Sequence, residues 1–422
     1  MMETETRLAR KLGLREAVFI GLGSMIGAGI FTALNPAAEA AGEGLLMGLG
    51  LAGIVAFCNA SSSAQLARLY PKSGGTYVYA TRQINSFSGW IAGWAFIVGK
   101  LASCAAAALT FGYYVRQDQA HLLAMLTVIA LTAITYHSIT KTALATTVMV
   151  LIVLGALGAV VVTALAGERR AELGPLTTEH GWYGVLQSGG ILFFAFAGYA
   201  RIGTLGEEVR EPKRSIPLAI MIAFGITFAV YFAIAISGLL VIGAEGLAAT
   251  NAPLVEVVKE AGGSGVAPLV RIGAAVAALG VLLSLIAGIS RTTFSMASDG
   301  RLPGRLAAVH PRHKVPHVAA LAIGAILLVV VSFADLRGAI GFSAFTVLLY
   351  YAITNASAFT LERERRFYPR AFPILGFIGC VVLAFTLPTQ SLIVGGGVMI
   401  AGALVYALQR RTPANQAGNV HN

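Results

Sequence analysis

Charge is scarce in this sequence, and negative charge most of all. Charged residues make up 12% of the 422 positions, with 19 Asp and Glu against 30 Lys and Arg. Soluble globular domains carry about 25% charged residues, so this supply is too small for a water-facing surface. Cysteine is nearly missing: Cys58, Cys104 and Cys380 each sit inside an apolar run, with no CxxC and no Cys/His spacing. A disulfide framework is excluded and no metal site is supported. What fills the chain instead is apolar. Hydrophobic residues reach 57%, and there are 49 glycines, small residues that let membrane helices approach closely. The mean hydropathy is +0.77. A soluble enzyme, a disordered chain and a secreted disulfide scaffold are all excluded.

A spanning helix needs about 20 mostly apolar residues. Charge-free runs give roughly twelve candidates, over 17–40, 44–66, 87–114, 121–139, 143–166, 184–206, 216–243, 266–297, 317–334, 337–359, 372–388 and 391–408. The last two come from one stretch too long for a single crossing, and Leu387-Pro388-Thr389-Gln390 supplies the turn that splits it. The reading is therefore an all-α polytopic membrane protein. A short segment 1–16 precedes a membrane domain over 17–408, and a tail follows over 409–422. The polar first residues show no signal-peptide pattern.

Lys and Arg in the loops set orientation. With the N-terminus in the cytoplasm, most basic residues fall on that side, among them Arg7, Arg10, Lys11, Arg68, Lys72, Arg210, Lys213 and the segments Arg301 to Lys314 and Arg363 to Arg370. Both termini are expected to be cytoplasmic, in an inner or plasma membrane. The net charge of +11 then reads as membrane topology and contact with lipid, and no nucleic-acid partner is expected.

Two runs are poor helices in matching places. Residues 21–31 read Gly-Leu-Gly-Ser-Met-Ile-Gly-Ala-Gly-Ile-Phe, with four glycines in the first nine positions. Glycine disfavours helix, and in lipid a break is tolerated only where it lines a cavity. Close helix packing through Gly27-Ala28-Gly29 is the plainer alternative. The sixth run reads Phe193-Phe194-Ala195-Phe196-Ala197-Gly198-Tyr199-Ala200-Arg201, again with glycine interrupting it. Broken helices at corresponding positions of two halves point to a transporter binding site. N–H groups freed at such breaks suit a carboxylate, and freed carbonyls suit an ammonium group or Na⁺. That pairing describes an amino acid zwitterion.

Gly23-Ser24-Met25-Ile26-Gly27-Ala28-Gly29-Ile30-Phe31 resembles the first-helix signature of amino acid–polyamine–organocation permeases. Phe193 to Tyr199, with Glu207-Glu208-Val209-Arg210-Glu211-Pro212 after it, is similar to the family's sixth helix and following loop. Tyr70 to Tyr77 and Ser290 to Pro303 resemble the loops after its second and eighth helices. The resemblance implies a five-plus-five inverted repeat of the LeuT type, with two accessory helices, working as a secondary-active amino acid transporter by alternating access. It implies that substrate carboxylate meets the backbone of Gly27, Ala28 and Gly29 near Ser24. The amino group would meet carbonyls near Met25 and around Ala195, Phe196 and Ala197, with Phe194 as an aromatic gate. Where many relatives carry an acidic residue, this chain has Ala200, which implies neutral amino acids. An exchanger, or a carrier of cationic amino acids or polyamines, is the alternative. The helix-5 lysine of proton-coupled relatives is also missing near Val153.

No cofactor is expected, and coupling to H⁺ or Na⁺ stays open. Lys100, in mid-span, titrates, pairs with a substrate carboxylate or with dipoles, or only fixes packing. Its expected acidic partners are Glu207 and Glu208. Arg201, seven residues before Glu208, is either a gate clamp or an interfacial anchor. Ser284 and Ser290 offer hydroxyls to a cation near the first break, and His137 is more often structural than functional at such a place. No nucleophile–base pair or metal cluster suggests an enzyme. Substrate identity and oligomeric state are not legible.

Overall fold

The computed structural model describes residues 12–70, 74–137, 143–167, 181–199, 202, 209–313 and 315–411. Arg201, Glu207 and Glu208 lie outside the described residues, as do Ala200, Lys72 and the side chains of His137 and Lys213.

The described chain is helical apart from one isolated bridge, Leu12 with Val209. The first apolar run forms three pieces: α1 (Leu14–Met25), α2 (Ala28–Thr32) and α3 (Leu34–Ala41). Next come α4 (Leu45–Leu69), α5 (Thr76–Gln83), α6 (Ser86–Val115), α7 (Ala120–His137), α8 (Ala143–Ala166) and α9 (Gly181–Phe196). Then follow α10 (Pro212–Ala248), α11 (Pro253–Glu260), α12 (Ala267–Ser298), α13 (His317–Phe333), α14 (Leu336–Phe359), α15 (Ala371–Phe385) and α16 (Thr389–Arg411). Among the described residues, nine helical stretches are long and apolar enough to cross a membrane, and α13 and α15 are shorter apolar helices.

Local chemistry sets the ends of these helices. Asn85 Oδ1 accepts from the Ser88 N–H at 2.8 Å and caps α6, and Asp335 Oδ1 accepts from the Gly338 N–H at 2.7 Å and caps α14. Such caps satisfy donors that the first turn leaves free. Proline opens α10 and α11, where its missing N–H costs nothing. Gly243, at φ 67°, interrupts the long α10.

The outer faces carry what a water-soluble protein would bury. On α16, Ile393, Ile400, Leu404 and Leu408 are each about 60–70% exposed. Their near-helical spacing makes one continuous apolar stripe, and its natural neighbour is hydrocarbon. The polar groups are turned inward. Asn355 on α14 donates to Asn59 Oδ1 on α4 at 2.6 Å, and Asn59 Nδ2 donates to Cys380 Sγ on α15 at 3.2 Å. Such bonds hold helices together where lipid offers no hydrophobic drive.

Helix α6 packs centrally, against α12 and α14. The two ends of the bundle are fastened differently. At one end, Asn35 donates to the carbonyls of Leu247, Ala248 and Thr250 at 2.7–3.3 Å. There Arg337 also donates to Asn35 Oδ1 at 3.0 Å and pairs with Glu39. At the other end the Leu12 carbonyl accepts from the Arg210 N–H at 2.8 Å. Tyr77 donates to Asp299 Oδ2 at 2.6 Å, joining the start of α5 to the end of α12. Burial, and then the Asp299 carboxylate, hold the Tyr77 hydroxyl protonated far above its ordinary range.

Candidate functional site

The break in the first run follows its glycines. Helix α1 stops at Met25, Ile26 leaves helical geometry at φ −79°, ψ 71°, and Gly27 is extended before α2 restarts at Ala28. The Gly27 N–H turns back to the Met25 carbonyl at 2.8 Å. Helix α9 ends at Phe196, and the chain turns through Ala197, Gly198 and Tyr199, with the Gly198 N–H donating to the Phe196 carbonyl at 2.7 Å.

The two breaks touch each other through bare backbone. A Cβ on Gly29 would lie 2.8 Å from Ala195 Cα, and one on Gly198 would overlap the Ser24 carbonyl. Cβ atoms do not approach that closely, so both positions need glycine here. A side chain at Gly29 would wedge the junction apart before it blocked any ligand.

A cavity of about 130 Å³ lies against this junction. The resemblance-derived residues Ser24, Met25, Gly27, Ala28, Gly29, Phe194, Ala195 and Ala197 all line it, and so do Lys100 and Ser284. Phe196 does not: its fully buried side chain packs on Tyr231 at 5.0 Å between ring centroids. Ser290 is satisfied within its own helix, donating to the Ile286 carbonyl at 2.7 Å. Val153 is buried in α8.

Sequence reading missed the rest of the wall. Val281, Leu285, Arg291 and Thr292 come from α12, Phe96 and Ser103 from α6, and Tyr350 from α14. Apolar runs give no hint of which face turns inward when every face is apolar. Arg291 had a signal, being a charge near a helix end, but so had many other arginines. The cavity extends from the breaks toward Gly74, Gly75 and the exposed Arg291.

Lys100 is 7% exposed. Its Nζ donates to the Ala197 carbonyl at 3.1 Å, so among the described residues its partner is a backbone oxygen at the second break. The Tyr351 hydroxyl donates to the same oxygen at 3.3 Å. Two other break carbonyls, of Met25 and Ala195, accept from the Tyr231 hydroxyl of α10 at 2.5 and 3.0 Å. Among the described lining residues there are two cationic side chains, Lys100 and Arg291, and no acidic one.

Comparison with known proteins agrees with this architecture. The model of the family described as amino acid permease matches residues 16–420, and the chain belongs to that family. An uncharacterized transporter of Mycobacterium tuberculosis is 56% identical over 407 residues, 96% of this chain and 92% of that protein. The branched-chain amino acid permease of Bacillus subtilis is 25% identical over 439 aligned positions, 96% of this chain and 94% of that protein. Cationic amino acid transporter 4 of Homo sapiens is 25% identical over 391 residues, 86% of this chain and 61% of that protein. This is a membrane transporter of the amino acid permease family, and not an enzyme.

The junction is open to a direct test. Gly198→Ala forces a side-chain carbon into the Ser24 carbonyl, and overpacking of this kind costs about 1–3 kcal/mol. Gly155, on α8, has open space where its Cβ would be, and alanine there should be neutral or stabilising by about 0.5–1 kcal/mol. Thermal unfolding of the purified protein in detergent is expected to show a lowered midpoint for Gly198→Ala and none for Gly155→Ala. Equal midpoints for the two variants would contradict the close backbone contact.

Proposed function

We propose that the protein is a secondary-active transporter of neutral amino acids, working by alternating access around the cavity at the two breaks. The observation that carries this reading is the meeting of both broken helices at one cavity whose described lining has cationic but no acidic side chains. The architecture fits twelve spans in the five-plus-five inverted repeat, with both termini cytoplasmic and the cavity reaching toward that side through Gly74 and Arg291.

The first turn of α2 has backbone N–H groups without intrahelical partners. In this reading the substrate carboxylate sits there, at Ala28 and Gly29, with the Ser24 hydroxyl nearby. The Met25 and Ala197 carbonyls each already accept two donors, so the Ala195 carbonyl, with one lone pair still open, takes the ammonium group. Phe194, partly buried over the cavity, covers the side chain. Cationic side chains are disfavoured because Lys100 and Arg291 repel them in a medium of low dielectric. The relatives named for branched-chain and for cationic substrates are similarly distant, and the charge of the cavity supports the neutral reading.

Competition against uptake into proteoliposomes tests the substrate class. L-alanine and L-leucine are expected to compete better than L-lysine and L-arginine by about tenfold or more, a difference of roughly 1.4 kcal/mol. Lysine or a polyamine as the strongest competitor would overturn the assignment.

Coupling is assigned to Lys100. A buried ammonium held by a neutral carbonyl is a group that can lose its proton as the cavity changes its access. Lys100→Met keeps much of the length and removes the charge. The variant is expected to lose pH-driven accumulation while retaining exchange of substrate across the membrane, because exchange moves no net proton. Accumulation equal to that of the parent protein would make Lys100 a packing residue.

A further inference from the structure

Carbonyl oxygens freed at helix breaks are the groups that coordinate a coupling cation in transporters built from broken helices. Two of them converge here. Met25 ends α1, and Ala195 lies in the last turn of α9. Two carbonyl dipoles aimed at one buried point repel each other unless something positive lies between them.

The point is occupied by a side chain. The Tyr231 hydroxyl shares its single proton between the Met25 oxygen at 2.5 Å and the Ala195 oxygen at 3.0 Å. Tyr231 is fully buried. Its ring is fixed against Phe196, so the hydroxyl is presented by a rigid support. The third break carbonyl, of Ala197, is covered in the same way by the Lys100 ammonium and the Tyr351 hydroxyl. Donors from α6, α10 and α14 thus cover all three of these oxygens.

We propose that Tyr231 is a positioning residue that stands where a cation would otherwise bridge the two breaks, so that the junction keeps its shape without Na⁺ at that point. The proposal rests on reading the breaks as the transport site, and it adds which group holds them together. It also confines any Na⁺ coupling to a place other than the Met25–Ala195 junction. Removing the hydroxyl alone leaves two inward carbonyls and a gap the size of one oxygen, which is an incomplete cation site.

Thermal unfolding of the purified full-length protein in NaCl, LiCl and choline chloride at equal ionic strength tests this without any amino acid present. The parent protein is expected to unfold at the same temperature in all three salts. Tyr231→Phe is expected to unfold earlier in choline chloride, with most of that loss recovered in NaCl. Tyr231→Asn adds a carbonyl oxygen as a further cation ligand and is expected to respond more strongly to NaCl. Should the Phe variant not yield folded protein, the salt response of the Asn variant decides. A Phe variant as stable as the parent in choline chloride would overturn the proposal. So would variants destabilised equally in every salt, or a parent protein that Na⁺ itself stabilises. Because no substrate enters the readout, failure here is separable from failure of the neutral amino acid assignment.

Discussion

The structure depends on one backbone-to-backbone contact, between the break after α1 and the break after α9. Gly29 lies against Ala195 and Gly198 against Ser24, which brings two sets of freed peptide groups to the same place. The polar contacts around the two breaks follow from that meeting. Gly27, Ala28 and Gly29 line the cavity, and freed carbonyls must be satisfied in a region without bulk water. The helices around the junction supply the donors: Tyr231 from α10, Lys100 from α6 and Tyr351 from α14. A membrane protein tolerates irregular backbone at this depth only when its neighbours are built to receive it, and these neighbours are.

The electrostatic character of the cavity follows from the same arrangement. Carbonyls, the natural acceptors, are largely taken up by protein donors, while Lys100 and Arg291 remain as positive charges without an acidic group among the described lining residues. On the proposed reading, such a cavity attracts the carboxylate end of an amino acid and resists a second positive charge. The fastening of the two bundle ends also differs in kind. Asn35, Arg337 and Glu39 tie α3 and α14 to the end of α10 through a dense polar cluster, whereas the cavity extends toward the opposite end.

Much of this was legible in the sequence, and the reasons are physical. Membrane character was legible because a chain with 12% charge has no other surface to make. The breaks were legible because glycine is a poor helix former, and Gly27 and Gly198 interrupt runs that are otherwise uniformly apolar. The turn at Pro388 separates α15 from α16 at the place expected. The walls of the cavity from α6, α12 and α14 were not legible. Which face of an all-apolar helix turns inward is decided by packing between segments hundreds of residues apart. Lys100 was expected to titrate, to pair with a substrate carboxylate or with dipoles, or to fix packing; among the described residues its partner is such a dipole, the Ala197 carbonyl, an acceptor created by the break and invisible in any list of side chains. The resemblance placed the Phe196 carbonyl at the site; in the structure that carbonyl accepts the Gly198 N–H, and the ring of Phe196 packs on Tyr231.

The most direct measurement of the central claim, that amino acid substrate binds at this junction, is protection of a cavity cysteine. The three native cysteines are buried, so Ser284→Cys places one accessible thiol on the cavity wall. Its rate of reaction with N-ethylmaleimide would be followed in the purified protein with and without saturating L-alanine or L-leucine. Slowing of the reaction by the amino acid that the protein transports is the predicted result. An unchanged rate, at a concentration of that amino acid that saturates uptake, would contradict binding at the two breaks.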